Sequence, residues 1–451
     1  MGRRSHARTL GLWMNADYVG TWRTRPGDGE VLQYADSWVA STRGRALSLS
    51  LPFAPGNPPH RGEAVRTYFE NLLPDSKEIR QRVARRYQTG STDAFDLLMQ
   101  VGRDCVGALQ LLPDGVQPEA INAVQATPLS EAEVARFLRD TLNPGPMTGA
   151  AGSDAQDLRI SIAGAQEKTA LLHFQGRWCR PQGATPTTHI FKLPMGLVGN
   201  MKLDLSESVE NEWLCAEILR AYGLPVAECE PLQFEDMKVL SVTRFDRAWI
   251  ANGEQKPWLV RLPQEDFCQI TATPPHLKYE ADGGPGVDRI MRLLDTSLYS
   301  ERDKRTFFQA QILFWMLWAP DGHAKNFSVF LRPGGGYELT PLYDILSVLP
   351  FLGEGKGKLS PFRVKMAMAV RSKNAHYLMR TIERRHWLNV GERYGVVTPD
   401  GRGAQAVVDE LVARTPTVVR AVRAKLPKSF SESLADSIFQ GLQASADRLA
   451  G

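Results

Sequence analysis

The segment Asp321-Gly-His-Ala-Lys-Asn326 sets a carboxylate and a carboxamide in one short stretch, with four residues between them. A second acid, Asp344, follows one hairpin's length later. Acid, carboxamide and acid in this order suit phosphoryl transfer, where a protein mainly positions groups and neutralises charge. One acid must orient the attacking hydroxyl and accept its proton. Oxygen ligands must hold a hard cation such as Mg²⁺ against the phosphates. Asp321 is assigned as the base, and Asn326 and Asp344 as the metal ligands. Asp321 and Asn326 by themselves also fit an ordinary loop; the ordered third acid favours chemistry.

The surrounding elements fit that task. An apolar helix over residues 307–318 precedes Asp321, and Pro320 is expected to end it. Phe327 to Leu331 reads as a strand, Arg332-Pro-Gly-Gly-Gly336 as a turn and Tyr337 to Leu339 as the return strand. Asn326 then opens a hairpin and Asp344 follows its close. His323 is expected to brace the loop, because no second His or Cys stands at ligand spacing. Lys325 fits either the γ-phosphate or solvent.

Upstream, if Phe191 and Leu193 face a core, strand alternation turns Ile190 and Lys192 the other way. A lysine on an inner face needs a partner, which an ATP α/β-phosphate would supply; a solvent-facing edge strand is the other reading. A helix over about 205–222 begins with Asp204-x-x-Glu207, read as a capping box, and stops at Gly223-x-Pro225. It sets Glu212 on the face of Val209, Ala216 and Leu219, as a partner for Lys192 or as a common surface glutamate. Ser161-Ile-Ala-Gly-Ala-Gln-Glu-Lys168 offers small residues whose backbone N–H groups could approach phosphates. With Gly164 its lone glycine, position more than pattern carries that reading. Val242-Thr-Arg-Phe-Asp246 is read as a hinge between two lobes, with Thr243 to Phe245 offering backbone groups to adenine.

The chain has 451 residues, 43% hydrophobic and 23% charged, so two or three folding units with sizeable cores are expected. A net charge of +4 does not by itself imply nucleic acid. Five cysteines without Cys-x-x-Cys spacing suggest neither a disulfide framework nor a zinc site. The apolar stretch Leu10 to Met14 is too short for a signal peptide, and His6 argues against myristoylation of Gly2. No run is long enough to span a bilayer. A soluble cytoplasmic protein is expected, with no membrane partner. A hairpin turning at Asn15-Ala16-Asp17, a strand over Ala46 to Leu51 and helices over 63–73, 77–86 and 93–101 are predicted for the first domain. Residues 113–157 read as a linker and mobile segment holding one helix opened by Ser130.

Further motifs complete the pattern: Asn71-Leu-Leu-Pro-Asp-Ser76, Phe95-Asp-Leu-Leu98, Gly102-Arg-Asp104, Thr187-Thr-His-Ile-Phe-Lys-Leu-Pro194, Arg244-Phe-Asp-Arg247, Arg261-Leu-Pro-Gln-Glu-Asp266, Lys278-Tyr-Glu-x-Asp-Gly-Gly-Pro-Gly286 and Leu339-Thr-Pro-Leu-Tyr-Asp344. In this order, across nearly the whole chain, they resemble the HipA family of serine/threonine kinase toxins. The resemblance implies an α+β, protein-kinase-like bilobal fold with a mostly helical C-terminal lobe, preceded by a small mixed α/β N-terminal domain. The expected division is 1–112 for that domain, 113–157 for the linker, 158–250 for the N-lobe and 251–451 for the C-lobe. The resemblance also implies ATP and Mg²⁺ as cofactors. The implied ATP-binding set is Ala163, Gly164, Ala165, Gln166, Glu167, Lys168, Lys192, Thr243, Arg244, Phe245, His323, Ala324, Lys325, Asn326, Tyr343 and Asp344. It implies phosphorylation of a serine on glutamyl-tRNA synthetase, which would block translation and promote persistence and multidrug tolerance. It implies self-inactivation by autophosphorylation at Ser161. The implied partner is a HipB-type helix-turn-helix antitoxin, the pair acting as a repressor on operator DNA. The chain departs from the family's pattern at Pro320 and Thr243, and neither departure removes a catalytic group.

A reading from another class is a catalytically weak ATP-binding scaffold that acts mainly as a DNA-bound corepressor with an antitoxin. The retained Asp321, Asn326 and Asp344 argue against it. A basic cluster of Arg371, Lys373, Arg380, Arg384 and Arg385 fits either DNA contact, chiefly through Lys373 and Arg380, or a solvated helix face.

Overall fold

Leu10, Leu12 and Met14, at alternate positions of the strand Arg8–Met14, lie in one buried core with Trp22 and Leu32. The computed structural model describes residues 8–25, 29–142, 166–199, 202–251 and 257–451. The chain forms two compact units that interleave in sequence. The first comprises Met1–Leu193, Leu232–His276 and Phe330–Gly336; the second comprises Pro194–Pro231, Leu277–Val329 and Tyr337–Gly451. The helix carrying Glu212 therefore belongs to the second unit, and residues 257–276 to the first.

The first unit opens with an antiparallel sheet in the order His60–Arg61, Gly29–Tyr34, Asp17–Arg25, Arg8–Met14, Leu109–Pro113. Its first hairpin turns where predicted: Asn15 and Ala16 both take positive φ, 46° and 69°, as a two-residue hairpin turn requires. The helices Glu63–Glu70 and Ala94–Val101 cover one face. There Trp22 stacks on Phe69 at 3.7 Å between ring centroids and tilts against Phe95. The helix Lys77–Tyr87, capped by Ser76, also forms as predicted.

The predicted strand over Ala46–Leu51 does not form. Its polar positions bond locally and to other segments instead. Ser50 Oγ donates to Gln269 O (2.8 Å), Leu49 N donates to Glu265 Oε1 (2.8 Å), and Leu51 N turns back to Ser48 O. Serine hydroxyls offering such bonds compete with a ladder. Leu47 and Leu51 are buried all the same, and the Tyr34 hydroxyl bridges Leu47 N and Leu51 O.

A second sheet of this unit places Met237–Thr243, His189–Lys192, Lys168–Phe174, Arg177–Pro181 and Ala126–Pro128 side by side in that order. The helix Glu131–Leu142 packs on it through Val134 and Leu138, against Leu171, Phe191, Leu193 and Val239. Ser130 opens that helix reciprocally: it accepts from Glu133 N, and its own N donates to the Glu133 carboxylate. Much of the stretch predicted as linker is thus part of this layer, because a capped amphipathic helix needs a core to bury its face. Residues 143–157 lie outside the described residues.

The second unit is mainly helical: Ser208–Ala221, Val287–Leu294, Ser300–Met316, Arg384–Arg393, Ala404–Arg423 and Glu432–Ala450. The helix Ser300–Met316 is buried nearly all round from Thr306 to its end, so it forms the centre of this unit. Asp204 does not cap the Ser208–Ala221 helix; its carboxylate turns onto Ser206 N and Oγ, the short-range bond that aspartate readily makes. No helix among the described residues is long and apolar enough to cross a membrane. All five cysteines are free thiols, four of them buried.

Candidate active site

The buried helix Ser300–Met316 delivers Asp321, but Pro320 does not end it. Trp318 takes a left-handed conformation (φ 50°), Ala319 N reaches back to Phe314 O (2.8 Å) and Trp318 N to Trp315 O (3.1 Å). This is the reciprocal carbonyl capping that closes a helix, here with tryptophan where glycine is usual. Pro320 only prevents resumption. Gly322 follows with Phe314 beneath it; a Cβ there would lie 2.9 Å from the ring, so the loop approaches the helix too closely for a side chain.

Within the loop, Asn326 Nδ2 donates to Asp321 O (2.7 Å), His323 N donates to the same carbonyl (2.8 Å), and Asn326 N donates to His323 O (2.9 Å). The first bond orients the carboxamide and leaves Oδ1 as the end that suits a cation. His323 is buried, with Nε2 3.7 Å from Asp321 Oδ1. Lys325 and Ala324 are buried too, which removes the solvent reading of Lys325. Asp321 differs: its side chain is 54% exposed. The Tyr279 hydroxyl donates to Asp321 Oδ1, and its ring meets His323 edge-on at 5.1 Å. The Asp321 carboxylate is therefore accessible and oriented at once.

Asp344 sits in the left-handed region (φ 65°). The segments around it are clamped. Tyr343 Oη donates to Lys325 O (3.0 Å) and meets Ser328 Oγ; Thr340 N donates to Ser328 O. After Asp344, Ser347 Oγ donates to Leu317 O (2.5 Å) and Val348 N to Trp318 O (2.9 Å). Asn211 bonds both Ser347 N and Ser347 O at 2.9 Å. Both acids are thus anchored to the same helix end. Among the described residues no cluster of three or more His, Cys, Asp or Glu could hold a metal alone. One carboxylate and one carboxamide, both oxygen donors, fit Mg²⁺ completed by substrate phosphates.

The first unit holds the predicted phosphate-binding lysine Lys192, residues 166–168 and residues 243–245. Phe191 and Leu193 are buried in its core, so Lys192 turns to the opposite face, as alternation requires. His189–Lys192 has a strand on either side, so it is no edge, and Lys192 is buried. Lys168 stands directly across from Lys192 in the antiparallel register. Like charges placed opposite one another repel, and an anion relieves that repulsion. Gln166 Nε2 donates to Leu193 O (2.6 Å), Leu193 N donates to Glu167 O (3.2 Å), and the Glu167 carboxylate pairs with Arg82. Ser161, Ala163, Gly164 and Ala165 lie outside the described residues. Glu212 is buried within the second unit.

Residues 244–246, expected as the hinge, link the strands Met237–Thr243 and Arg247–Ile250, both in the first unit. Arg244 N is taken by Thr188 O (2.8 Å), and its guanidinium is fully buried in a charge network. Arg244 is therefore structural. The basic cluster is no helix face either. Arg371 ends a strand and pairs with Glu280 (2.5 Å), Arg384 with Asp409 (2.5 Å) and Arg385 with Glu383 (2.9 Å). Lys373 and Arg380 remain exposed, Arg380 lying over the exposed Phe362 ring.

Tyr279 is the site residue that the sequence did not single out. It precedes Asp321 by 42 positions, and its only signal was membership of the Lys278-Tyr-Glu motif. Glu280 anchors that motif: it accepts from Ala369 N (2.6 Å) and Arg371, and Gly286 leaves room for its carboxylate.

Residues 160–419 match the family described as HipA-like C-terminal domain, and residues 10–112 match the HipA N-terminal domain. The chain is 34% identical over 368 residues to "Putative kinase Y4mE" of Sinorhizobium fredii, covering 80% of this chain and 81% of that protein. It is 27% identical over 333 residues to the "Serine/threonine-protein kinase toxin HipA" of Shewanella oneidensis, covering 71% and 70% respectively. Its fold matches the HipA toxin solved from Shewanella oneidensis with HipB and operator DNA. That match has a TM-score of 0.76 at 23% identity and covers 98% of this chain and 97% of that one.

Proposed function

The chain belongs to the HipA family, and on that footing we propose that it is an ATP- and Mg²⁺-dependent protein serine/threonine kinase acting as the toxin of a toxin–antitoxin pair. The observation that carries this reading is the Asp321 loop: an accessible carboxylate oriented by Tyr279, beside a carboxamide turned by the Asp321 carbonyl. Asp321 orients the acceptor hydroxyl and takes its proton. Asn326 and Asp344 hold Mg²⁺, which when bound neutralises phosphate charge. Lys192, facing Lys168 across the ladder, takes the α/β-phosphates, and Lys325 takes the γ-phosphate. Glu212 pairs with Lys192, and Thr243 and Phe245 receive the adenine.

The proposed acceptor is a serine of glutamyl-tRNA synthetase, with Ser161 as the self-inactivating site. The proposed inhibitor is a HipB-type antitoxin, and the pair represses its operator, Lys373 and Arg380 being the exposed cations offered to DNA. Incubation with labelled ATP, with and without glutamyl-tRNA synthetase, tests the core of this. Label on the synthetase is expected, together with self-label that Ser161→Ala removes. Self-label alone would remove the synthetase from the proposal, and no label would remove the kinase. Lys373→Ala with Arg380→Ala is expected to make operator binding less steeply dependent on salt, by about 0.9 in log–log slope for each phosphate that the two cations neutralise.

A further inference from the structure

The Gly102-to-Gly107 turn belongs to the N-terminal domain, yet its polar groups close on residues 244–247. Asp104 Oδ2 accepts from Thr187 N (3.0 Å), Thr187 Oγ1 (2.7 Å) and Arg244 Nη1 (3.2 Å). Asp104 Oδ1 accepts from Arg247 Nη2 (2.9 Å) and Arg261 Nε (3.2 Å). Cys105 O accepts from Arg244 and Arg247 (2.8 and 3.0 Å). Gly107 N donates to Asp246 Oδ2 (2.7 Å), and Gly107 O accepts from Arg247 Nη1 (2.8 Å). Gly107 has φ 77°, and a Cβ there would lie 2.8 Å from Gln264 O, so no other residue fits this turn without strain.

All of these side chains are buried. Three guanidiniums face two carboxylates, and Asp104 is the one acid that touches all three. Arg244 and Arg247 flank Phe245, so the course of the backbone there depends on where Asp104 holds them. We propose that Asp104 is a positioning residue for nucleotide binding: through Arg244 and Arg247 the N-terminal domain fixes the 243–245 link that receives the adenine. This rests on the ATP-binding reading above. It makes the N-terminal domain part of the nucleotide site's support and not an appendage.

The test compares the full-length chain with Thr187→Val, Asp104→Asn and Asp104→Glu. Each is assayed for equilibrium binding of ATP, for KM and kcat of phosphoryl transfer, and for urea unfolding. Thr187→Val removes only the hydroxyl that bridges Asp104 and Arg244, so it keeps a folded variant in the set. A weaker Kd for ATP is expected, by about threefold in Thr187→Val and at least about tenfold in Asp104→Asn, with kcat little changed; loss of one neutral or one charged hydrogen bond has effects of that order. Partial recovery is expected in Asp104→Glu. Variants that lose stability but bind ATP as the unsubstituted chain does would overturn the positioning role and leave the kinase reading intact. An unsubstituted chain that binds no ATP would overturn both.

Discussion

Asp104 and Asp321 are both aspartates at the centre of a hydrogen-bonded cluster, and their surroundings give them opposite uses. Asp104 is buried, and both of its oxygens are engaged by guanidiniums and by Thr187. Burial resists its ionisation, but Arg247, Arg244 and Arg261 outweigh that and hold its carboxyl well below the usual carboxylate range. Such a group stays charged and has nothing left to offer a substrate. Asp321 is half exposed and is oriented through one oxygen by Tyr279. Glu265 makes a third case. It is as buried as Asp104 but has no ion pair with a guanidinium among the described residues, and burial pushes its carboxyl up to about 8. Depth alone therefore does not decide what a carboxylate does; its partners do.

Substitutions can break this contrast. The largest effect is expected from Asp321→Gln: phosphoryl transfer falls by about 10²–10⁴-fold while ATP still binds and the unfolding midpoint hardly moves. Single-turnover transfer from labelled ATP reads this, and full activity would remove the base role. Asp104→Ala is expected to act in the opposite sense, on folding first. Removing one of the two carboxylates leaves Arg261 without its acid and Arg244 and Arg247 sharing Asp246, which costs about 3–5 kcal/mol of stability, measured by urea denaturation. Glu265→Gln sharpens the comparison through pH. Because the folded-state value is raised from 4.5 to about 8, the Glu265 contribution is complete below about pH 4.5 and is lost as pH rises through about 8. The glutamine variant should lack that decline in denaturation midpoints across the window; an unchanged pH profile would reject a protonated Glu265. The smallest effect is expected from Tyr279→Phe, which removes one orienting bond worth about 1 kcal/mol. Transfer should slow by about tenfold or less, with ATP affinity unchanged.

What the sequence disclosed was local. The Asp321–Asn326 loop, the Asn15-Ala16 turn, the Ser130 cap and the outward turn of Lys192 each depend on neighbours a few positions away, and each was legible. What it withheld depends on distant partners. Tyr279 and Asp321 meet across 42 positions, and Asp104 and Arg244 across 140. Arg371 and Arg384 read as free cations until Glu280 and Asp409 arrive from elsewhere in the chain. The Ala46–Leu51 alternation was real, but serine bonds to Gln269 overrode the ladder it predicted. The helix before Asp321 ended on the backbone of Trp318, a conformation that no tryptophan advertises.

Asp344 adopts φ 65°, a conformation in which glycine would be more comfortable by about 1 kcal/mol. The local backbone thus does not itself call for a side chain, and the proposed metal-ligand role is what would keep the carboxylate there. Laboratory drift without selection for phosphoryl transfer should accumulate glycine or asparagine at position 344 sooner than at position 321. A lineage that had become a passive DNA-bound scaffold would carry the same mark, so residue 344 records whether a chain of this kind still lives by its chemistry.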